Sequence, residues 1–277
     1  MYRIVLAAIA GLLLGPPLCA ETLKPETVAA FDHYVQLSEL RMEKEVGSTP
    51  LPFLRIDGLP EKDRAAALAQ LKNGETVVER IETLDQGRKM EAPGGMIHHW
   101  AGTVFIPGAT LGQTIALLQD YDNRQRYWTP AVERSRLIER DGDHFKMFMR
   151  LREKKIITVV LDTDYDITYA AAGPNRETCR SMSTRIAQVE NDGQPDEYEK
   201  PVGNDRGFLW RLNTYWRLEQ RDGGTYVQLE AISLSRGIPS GLAWLIEPLV
   251  NSFPKESLEF TLSRTREALV GKAKASN

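Results

Sequence analysis

The sequence predicts an α+β fold, in which an antiparallel sheet is followed by a long C-terminal helix and preceded by a small helical extension. Three observations support this prediction. Apolar residues recur at helical spacing near both ends of the chain, and they alternate with polar residues through most of the middle. The alternating segments are joined by short turns rich in Gly, Asn and Asp. Such short connections favour antiparallel order, because parallel neighbours need a long crossover.

The composition is that of a globular protein. The chain has 277 residues, with 35 Lys and Arg against 38 Asp and Glu, a formal charge of −3, and 42% hydrophobic residues. These values exclude collagen-like, disordered and polytopic membrane chains. Nucleic-acid binding requires an excess of basic residues on one face. We therefore expect no nucleic-acid partner.

Residues 1–20 have the layout of a secretory signal peptide, with Arg3, an apolar run over Ile4–Leu14, a Gly-Pro-Pro breaker and small residues at the end. The run is shorter than the roughly 20 residues that cross a membrane. We expect cleavage after Ala20 and a periplasmic or secreted protein with no integral membrane segment. Cys19 leaves open a second form, in which a lipid-modified cysteine anchors the mature protein.

Residues 21–74 predict a helical N-terminal extension. The first helix is indicated by an apolar stripe at helical spacing, formed by Val28, Phe31, Val35, Met42 and Val46. It should end at Gly47–Pro50. A second helix is predicted over Glu61–Lys72, with a C-cap at Asn73-Gly74. We expect this extension to be an appendage without chemistry of its own.

From residue 75 to 277 the sequence predicts one domain, built mostly of strands. Three segments carry clear alternation: 143–152, 155–169 and 207–219. The apolar face of each should be buried and the polar face wet, as in an antiparallel sheet exposed on one side. The large apolar residues assigned to the buried face are Met147, Met149, Tyr165, Trp210 and Trp216.

The chain is predicted to end in helix. Leu258, Leu262 and Leu269 lie on one helical stripe and should face the sheet. Pro248 and Pro254 should separate this helix from a short apolar piece before it, because each proline removes a backbone donor.

Residues 103–138, TVFIPGATLGQTIALLQDYDNRQRYWTPAVERSRLI, resemble the opening of the START-like, polyketide cyclase-like (SRPBCC) superfamily. Residues 226–239, followed by Trp244 and the last helix, resemble the end of the same domain, so the resemblance covers roughly residues 95–270. The resemblance implies the helix-grip fold, in which the last helix lies across the concave face of the sheet. It also implies an apolar cavity between helix and sheet, open at one end.

Within that cavity, the resemblance and the strand pattern together suggest a ligand site. Met and aromatic side chains adapt to irregular apolar ligands. If the strand face that carries Ser181, Ser183 and Arg185 turns inward, these residues would orient a polar head group. Trp244 and Ile246 should sit at the cavity mouth. The predicted ligand-binding residues are Met147, Met149, Tyr165, Arg185, Trp210, Trp216 and Trp244.

No catalytic, cofactor or metal signature accompanies this site. His98 and His99 are adjacent in a strand, so they should point to opposite faces and cannot chelate one ion together. We therefore expect no metal and no cofactor. The sequence favours a module that binds or carries a hydrophobic small molecule, a lipid being one candidate. Two alternatives stay open: a cyclase- or hydrolase-type enzyme using Tyr165, Arg185 and Glu230, and a protein-interaction module with a filled cavity.

Overall fold

The computed structural model describes residues 21–47, 51–154, 158–237 and 243–275, with side chains of the last helix described over residues 252–271. The predicted signal peptide, residues 1–20, lies outside the described residues. The helices are α1 (Pro25–Gly47), α2 (Glu61–Lys72), α3 (Leu111–Leu118), α4 (Arg124–Tyr127) and α5 (Ala243–Ala275), with 3₁₀ turns at Arg55–Gly58 and Tyr121–Asn123. The strands are β1 (Glu21–Thr22), β2 (Val77–Arg80), β3 (Leu84–Asp85), β4 (Arg88–Lys89), β5 (Gly95–Pro107), β6 (Val132–Asp141), β7 (His144–Lys154), β8 (Thr158–Gly173), β9 (Arg176–Glu190), β10 (Tyr198–Glu199), β11 (Asn204–Asp205), β12 (Arg211–Arg221) and β13 (Gly224–Arg236).

One large sheet organises the fold. Its strands run in the order β2-β5-β13-β12-β9-β8-β7-β6, and the short β10 pairs with β9. Every neighbouring pair is antiparallel. The strands β6, β7, β8 and β9 are consecutive in the chain and adjacent in the sheet, as short hairpin connections require. With α5 against the sheet, this confirms the predicted α+β, helix-grip architecture.

The helix α5 covers one face of the sheet, called the inner face below. Leu258, Leu262 and Leu269 are 3%, 0% and 5% exposed, within the main apolar core. Gly102 of β5 lies directly beneath Leu258 and Leu262, where a side chain on the strand would collide with them. The predicted stripe of leucines is therefore confirmed as the contact between helix and sheet.

The predicted break between Pro248 and Pro254 is wrong, because α5 is continuous from Ala243 to Ala275. A proline inside a helix removes one backbone hydrogen bond and costs about 3 kcal/mol. Burial of a leucine side chain contributes a similar amount, so the packing of the helix can offset the cost. Among the described residues, no helix is both long enough and apolar enough to span a membrane.

The opposite, outer face of the central strands is covered by the N-terminal extension. The buried stripe of α1 packs on β12 and β13, in a core formed by Phe31, Tyr34, Val35, Met42, Trp210, Tyr215, Ile232 and Leu234. The segment that contains the 3₁₀ turn and α2 packs on β5 and β13, in a core formed by Phe53, Leu54, Ile56, Leu71, Phe105 and Tyr226. The prediction of one wet face is therefore wrong for the central strands, which are buried on both sides.

A β-bulge changes the faces of β9 halfway along. Ser183 pairs with Tyr165, but the next pair toward the strand's end joins Arg185 to Asp164, so that Thr184 is the extra residue. Cys179 is buried in the core on the inner face, and Ser181 shares that face by alternation. Beyond the bulge, Arg185 lies on the outer face, because one inserted residue reverses the alternation.

Candidate functional site

The inner face is best described by rows of residues that lie side by side across neighbouring strands. One row, from β5 to β8, is apolar: Gly102, Leu229, Trp216, Cys179 and Tyr169. The next row toward the start of β5 mixes large and small side chains: Trp100, Ala231, Thr214, Ser181 and Ile167. The third contains His98, Ser233 and Leu212, and continues through Ser183 and Tyr165 to Met147.

The predicted residues Met147, Met149, Tyr165 and Trp216 lie together on this face. All four are buried in one core cluster with Leu258 and Leu262 of α5. The Trp216 ring stacks on Trp128, with centroids 6.5 Å apart and planes 9° from parallel. This part of the inner face is therefore packed, side chain against side chain.

The middle of the inner face is different. Trp100, Leu212, Thr214, Ala231 and Ser183, called the central hollow below, are only partly buried although they sit on interior strands that face α5. A side chain in that position would be fully buried if the space before it were filled. The central hollow is apolar on the side of Trp100 and Ala231, and it carries hydroxyl groups on the side of Thr214 and Ser183.

Polar side chains border the central hollow. Ser181 and Ser233 are 9% and 8% exposed, and the Ser183 hydroxyl accepts a hydrogen bond from the Leu212 N–H at 2.9 Å. His98 is paired with the Ser235 hydroxyl at 2.9 Å. Burial, together with the nearby charge of Arg80, lowers the pKa of His98 to about 4. The imidazole is therefore neutral near pH 7 and serves as a hydrogen-bonding group.

Two of the predicted ligand residues lie elsewhere. Trp210 is 3% exposed in the core under α1, and its indole N–H donates to Asp205 at 3.1 Å. The prediction that it shares a face with Trp216 is wrong, because β12 begins only at Arg211 and regular alternation does not reach back to Trp210. Arg185 is on the outer face and pairs with Glu199 and, at 3.6 Å, with Asp164.

The side chains of Trp244 and Ile246 lie outside those that the structure describes. Their predicted place at the cavity mouth stays a prediction, as does the ligand-binding role of Met147, Met149, Tyr165 and Trp216. The acid–base set considered for an enzyme is not assembled: Tyr165 is on the inner face, whereas Arg185 and Glu230 are on the outer one. Within the described residues, no cluster of His, Cys, Asp or Glu could hold a metal ion.

Sequence reasoning missed a buried polar network on the outer face. The His99 ring lies between Tyr34 of α1, whose hydroxyl is 3.0 Å from Nδ1, and Glu230, whose carboxylate is 2.6 Å from Nε2. Arg41 of α1 pairs with the same carboxylate. The His99 and Glu230 side chains are each 1% exposed. This set, Tyr34, His99, Arg41 and Glu230, is called the outer clamp below.

Electrostatics fixes the protonation of the outer clamp. Burial alone would raise the pKa of Glu230, but the hydrogen bond from His99 and the charges of Arg41 and Arg217 hold it at about 2. Burial lowers the pKa of His99. A neutral His99 can donate from Nε2 to the carboxylate and accept at Nδ1 from Tyr34, whose oxygen accepts from the Thr83 N–H at 3.0 Å.

The outer clamp extends along α1. Arg41 also pairs with Glu45 at 2.9 Å, and Arg217 of β12 reaches Glu45 at 2.7 Å. The signal in the sequence was the spacing of Tyr34, Arg41 and Glu45, which places polar groups on the same helical face as the apolar stripe. The network lies on the outer face and joins α1 to β5, β12 and β13.

In the part of the chain that the structure describes, two cavities lie away from the inner face. A small one of about 90 Å³ lies on the outer face, lined by Arg55, Ile56, Leu59, Val77, Glu79, Ala101, Gly102, Thr103 and Gln228. An open groove of about 460 Å³ runs beside the start of α1, lined by Thr22, Leu23, Pro25, Val28, Ala29, Asp32, Val202, Gly203 and Arg211. The first is smaller than the roughly 300 Å³ that a small-molecule pocket requires.

No protein-family model and no curated protein matches the sequence. Several solved structures are similar in fold. A fragment of a STAR-related lipid transfer protein from Xanthomonas axonopodis is 21% identical, covers 69% of this chain and 98% of its own, and has a TM-score of 0.45. Human STARD10 is 10% identical, covers 83% and 86%, and has a TM-score of 0.43. The Zhui aromatase/cyclase from Streptomyces sp. R1128 is 13% identical, covers 65% and 94%, and has a TM-score of 0.41. The likeness to these structures is one of overall fold.

Proposed function

We propose that the protein binds a hydrophobic small molecule between the inner face and α5, and carries it without changing it chemically. The observation that carries this proposal is the central hollow. Trp100, Leu212 and Ala231 offer an apolar wall, and Thr214 and Ser183 offer hydroxyl groups beside it. An apolar wall with a few polar groups is the usual composition of a small-molecule site.

The surroundings of the central hollow suit a lipid-like ligand. Met147 and Met149 lie farther along the same face, and unbranched thioether side chains can rearrange around an irregular apolar molecule. A carrier also needs no acid–base set beside the ligand, and none is assembled here from Tyr165, Arg185 and Glu230. We therefore place a lipid first among the ligand classes.

The test is a variant that fills the central hollow. Ala231→Phe should weaken binding of a long-chain lipid by about tenfold or more, measured by titration calorimetry, because the new ring occupies the space. Ala170→Phe, on an exposed position of β8, is the matched control and should bind normally. Native mass spectrometry of gently purified protein, followed by organic extraction, identifies any molecule that is carried. If no lipid binds the unmodified protein, or if Ala231→Phe binds as well as it does, the proposal fails.

We further propose that the protein acts outside the cytoplasm, in the periplasm or as a secreted protein. The support is the layout of residues 1–20, in which an apolar run is followed by a breaker and small residues. The mass of the protein recovered from an exporting cell should correspond to a chain that begins at Glu21. A chain that retains Met1 would exclude cleavage. A chain that begins at Cys19 with the added mass of acyl groups would indicate the anchored form.

A further inference from the structure

Arg124 is held in an unusual way at the start of α4. Its guanidinium carbon lies 4.7 Å from the centroid of the Tyr121 ring and 4.5 Å from that of Trp128. Both rings belong to the buried core of the inner face. Nη2 donates to the Leu118 carbonyl at 2.8 Å. The side chain is thus positioned by two aromatic faces and one carbonyl, all of them uncharged.

The charge of Arg124 has no acidic partner within the described part of the chain. Its Nε is buried without a hydrogen-bond partner among those residues. Arg150, on the outer face, shows the ordinary arrangement, since Nε and Nη2 each donate to Asp162 at 2.7 Å. A partly buried cation usually has such a partner, because an uncompensated charge in an apolar environment is costly.

A second polar group without a partner lies on the same face. The Tyr165 side chain is 4% exposed, and its hydroxyl has no hydrogen-bond partner among the described residues. Burial raises the pKa of Tyr165 to about 12, against opposing effects of Thr163 and of the Arg124 charge. The phenol therefore stays protonated and can donate. Tyr165 also pairs across the strands with Ser183, which lines the central hollow.

We propose that Arg124 and Tyr165 bind the carboxylate of a single-chain acidic amphiphile whose tail lies along the central hollow. This inference rests on the proposed function and names its ligand class. A planar guanidinium matches a carboxylate, and a phenol adds one hydrogen bond to the same anion. One cation balances one negative charge, which favours a carboxylate over a phosphate that carries up to two.

The test compares ligands that differ only at the head group. Hexadecanoic acid, its methyl ester, hexadecanol and hexadecyl phosphate are titrated separately into the full-length mature protein at pH 8. The acid should bind about tenfold tighter than the ester or the alcohol, because only the acid forms charge-assisted hydrogen bonds. In Arg124→Gln the preference should fall to about one, and in Tyr165→Phe it should fall several-fold. Arg136→Gln is the matched control, since Arg136 also lies over a ring, 5.3 Å from Phe148, but is exposed.

The outcomes separate the two proposals. Equal binding of acid, ester and alcohol would overturn the inference and leave the proposed function standing. Binding of none of them would overturn both. Tighter binding of the phosphate than of the acid would overturn the assignment of a carboxylate. If Arg124→Gln does not fold, as judged by circular dichroism, Tyr165→Phe decides the question, because it removes one unpartnered hydroxyl and leaves the ring in place.

Discussion

Replacing Glu230 by glutamine tests whether the outer clamp stabilises the fold as its geometry requires. The carboxylate is buried, receives a hydrogen bond from His99 and pairs with Arg41. Folding lowers the pKa of this group from its ordinary value of 4.5 to about 2. That difference corresponds to about 3 kcal/mol in favour of the charged form.

Glutamine keeps the shape of the side chain and removes its charge. Glu230→Gln should therefore lower the free energy of unfolding by about 3 kcal/mol at pH 7, measured by urea denaturation followed by circular dichroism. Part of that loss comes from leaving Arg41 and Arg217 with less compensating charge. Glu139→Gln is the control, because Glu139 pairs with Lys146 at the surface, where the side chain is 53% exposed. That variant should unfold like the unmodified protein.

The pH dependence gives a second, independent check. Because the pKa of Glu230 is lower in the folded state, its contribution is fully present above about pH 4.5 and is lost as the pH falls toward 2. The difference between Glu230→Gln and the unmodified protein should therefore shrink over that range. A variant as stable as the unmodified protein at pH 7, or a difference that is the same at pH 7 and pH 3, would refute this account of the outer clamp.

Three further predictions concern the inner face and the bulge. Leu262→Asp should unfold the domain or cost several kcal/mol, because it buries a charge under α5; an unchanged melting temperature would mean that the helix does not grip the sheet. His98, whose pKa falls from 6.5 to about 4 on folding, should contribute about 3 kcal/mol that is lost as the pH falls from 6.5 through 4. His98→Gln should remove that part of the acid destabilisation, and urea titrations of both proteins at pH 7 and pH 4 will show whether it does. Deleting Thr184 removes the bulge, so every side chain on one half of β9 would move to the opposite face of the sheet, and the protein should lose several kcal/mol of stability. Thr184→Ala, at the same exposed position, keeps the bulge and should change the melting temperature little.

Much of the inner face could be predicted because its signals are local. The alternation over residues 143–152 places Phe145, Met147 and Met149 on one side of a single strand, and the structure keeps them there. The leucine stripe of α5 likewise depends only on helical spacing. Each of these patterns is complete within one element, so no distant residue is needed to interpret it.

The outer face could not be predicted in the same way. Alternation assigns Arg217 to a wet face, and the strand of Glu230 alternates too poorly to assign that residue to either face. Both are buried, and their partners Arg41 and Glu45 belong to a helix that is remote in the sequence. The prediction for Trp210 was wrong for a different reason. Alternation assumes an unbroken strand, and this strand begins one residue after Trp210. The bulge at Thr184 breaks the same assumption for Arg185.

The outer clamp has a consequence for the order in which the molecule is assembled. Arg41 and Glu230 are 189 residues apart in the chain. When α1 leaves the ribosome, the strands that will receive it have not yet been made. Its apolar stripe and Arg41 therefore stay without their partners on the sheet through most of synthesis. Folding is slower when contacting residues are far apart in the sequence, because the chain between them must be ordered first. The first of the described helices therefore docks late, and a chain cut off before β12 would lack both strands on which α1 packs.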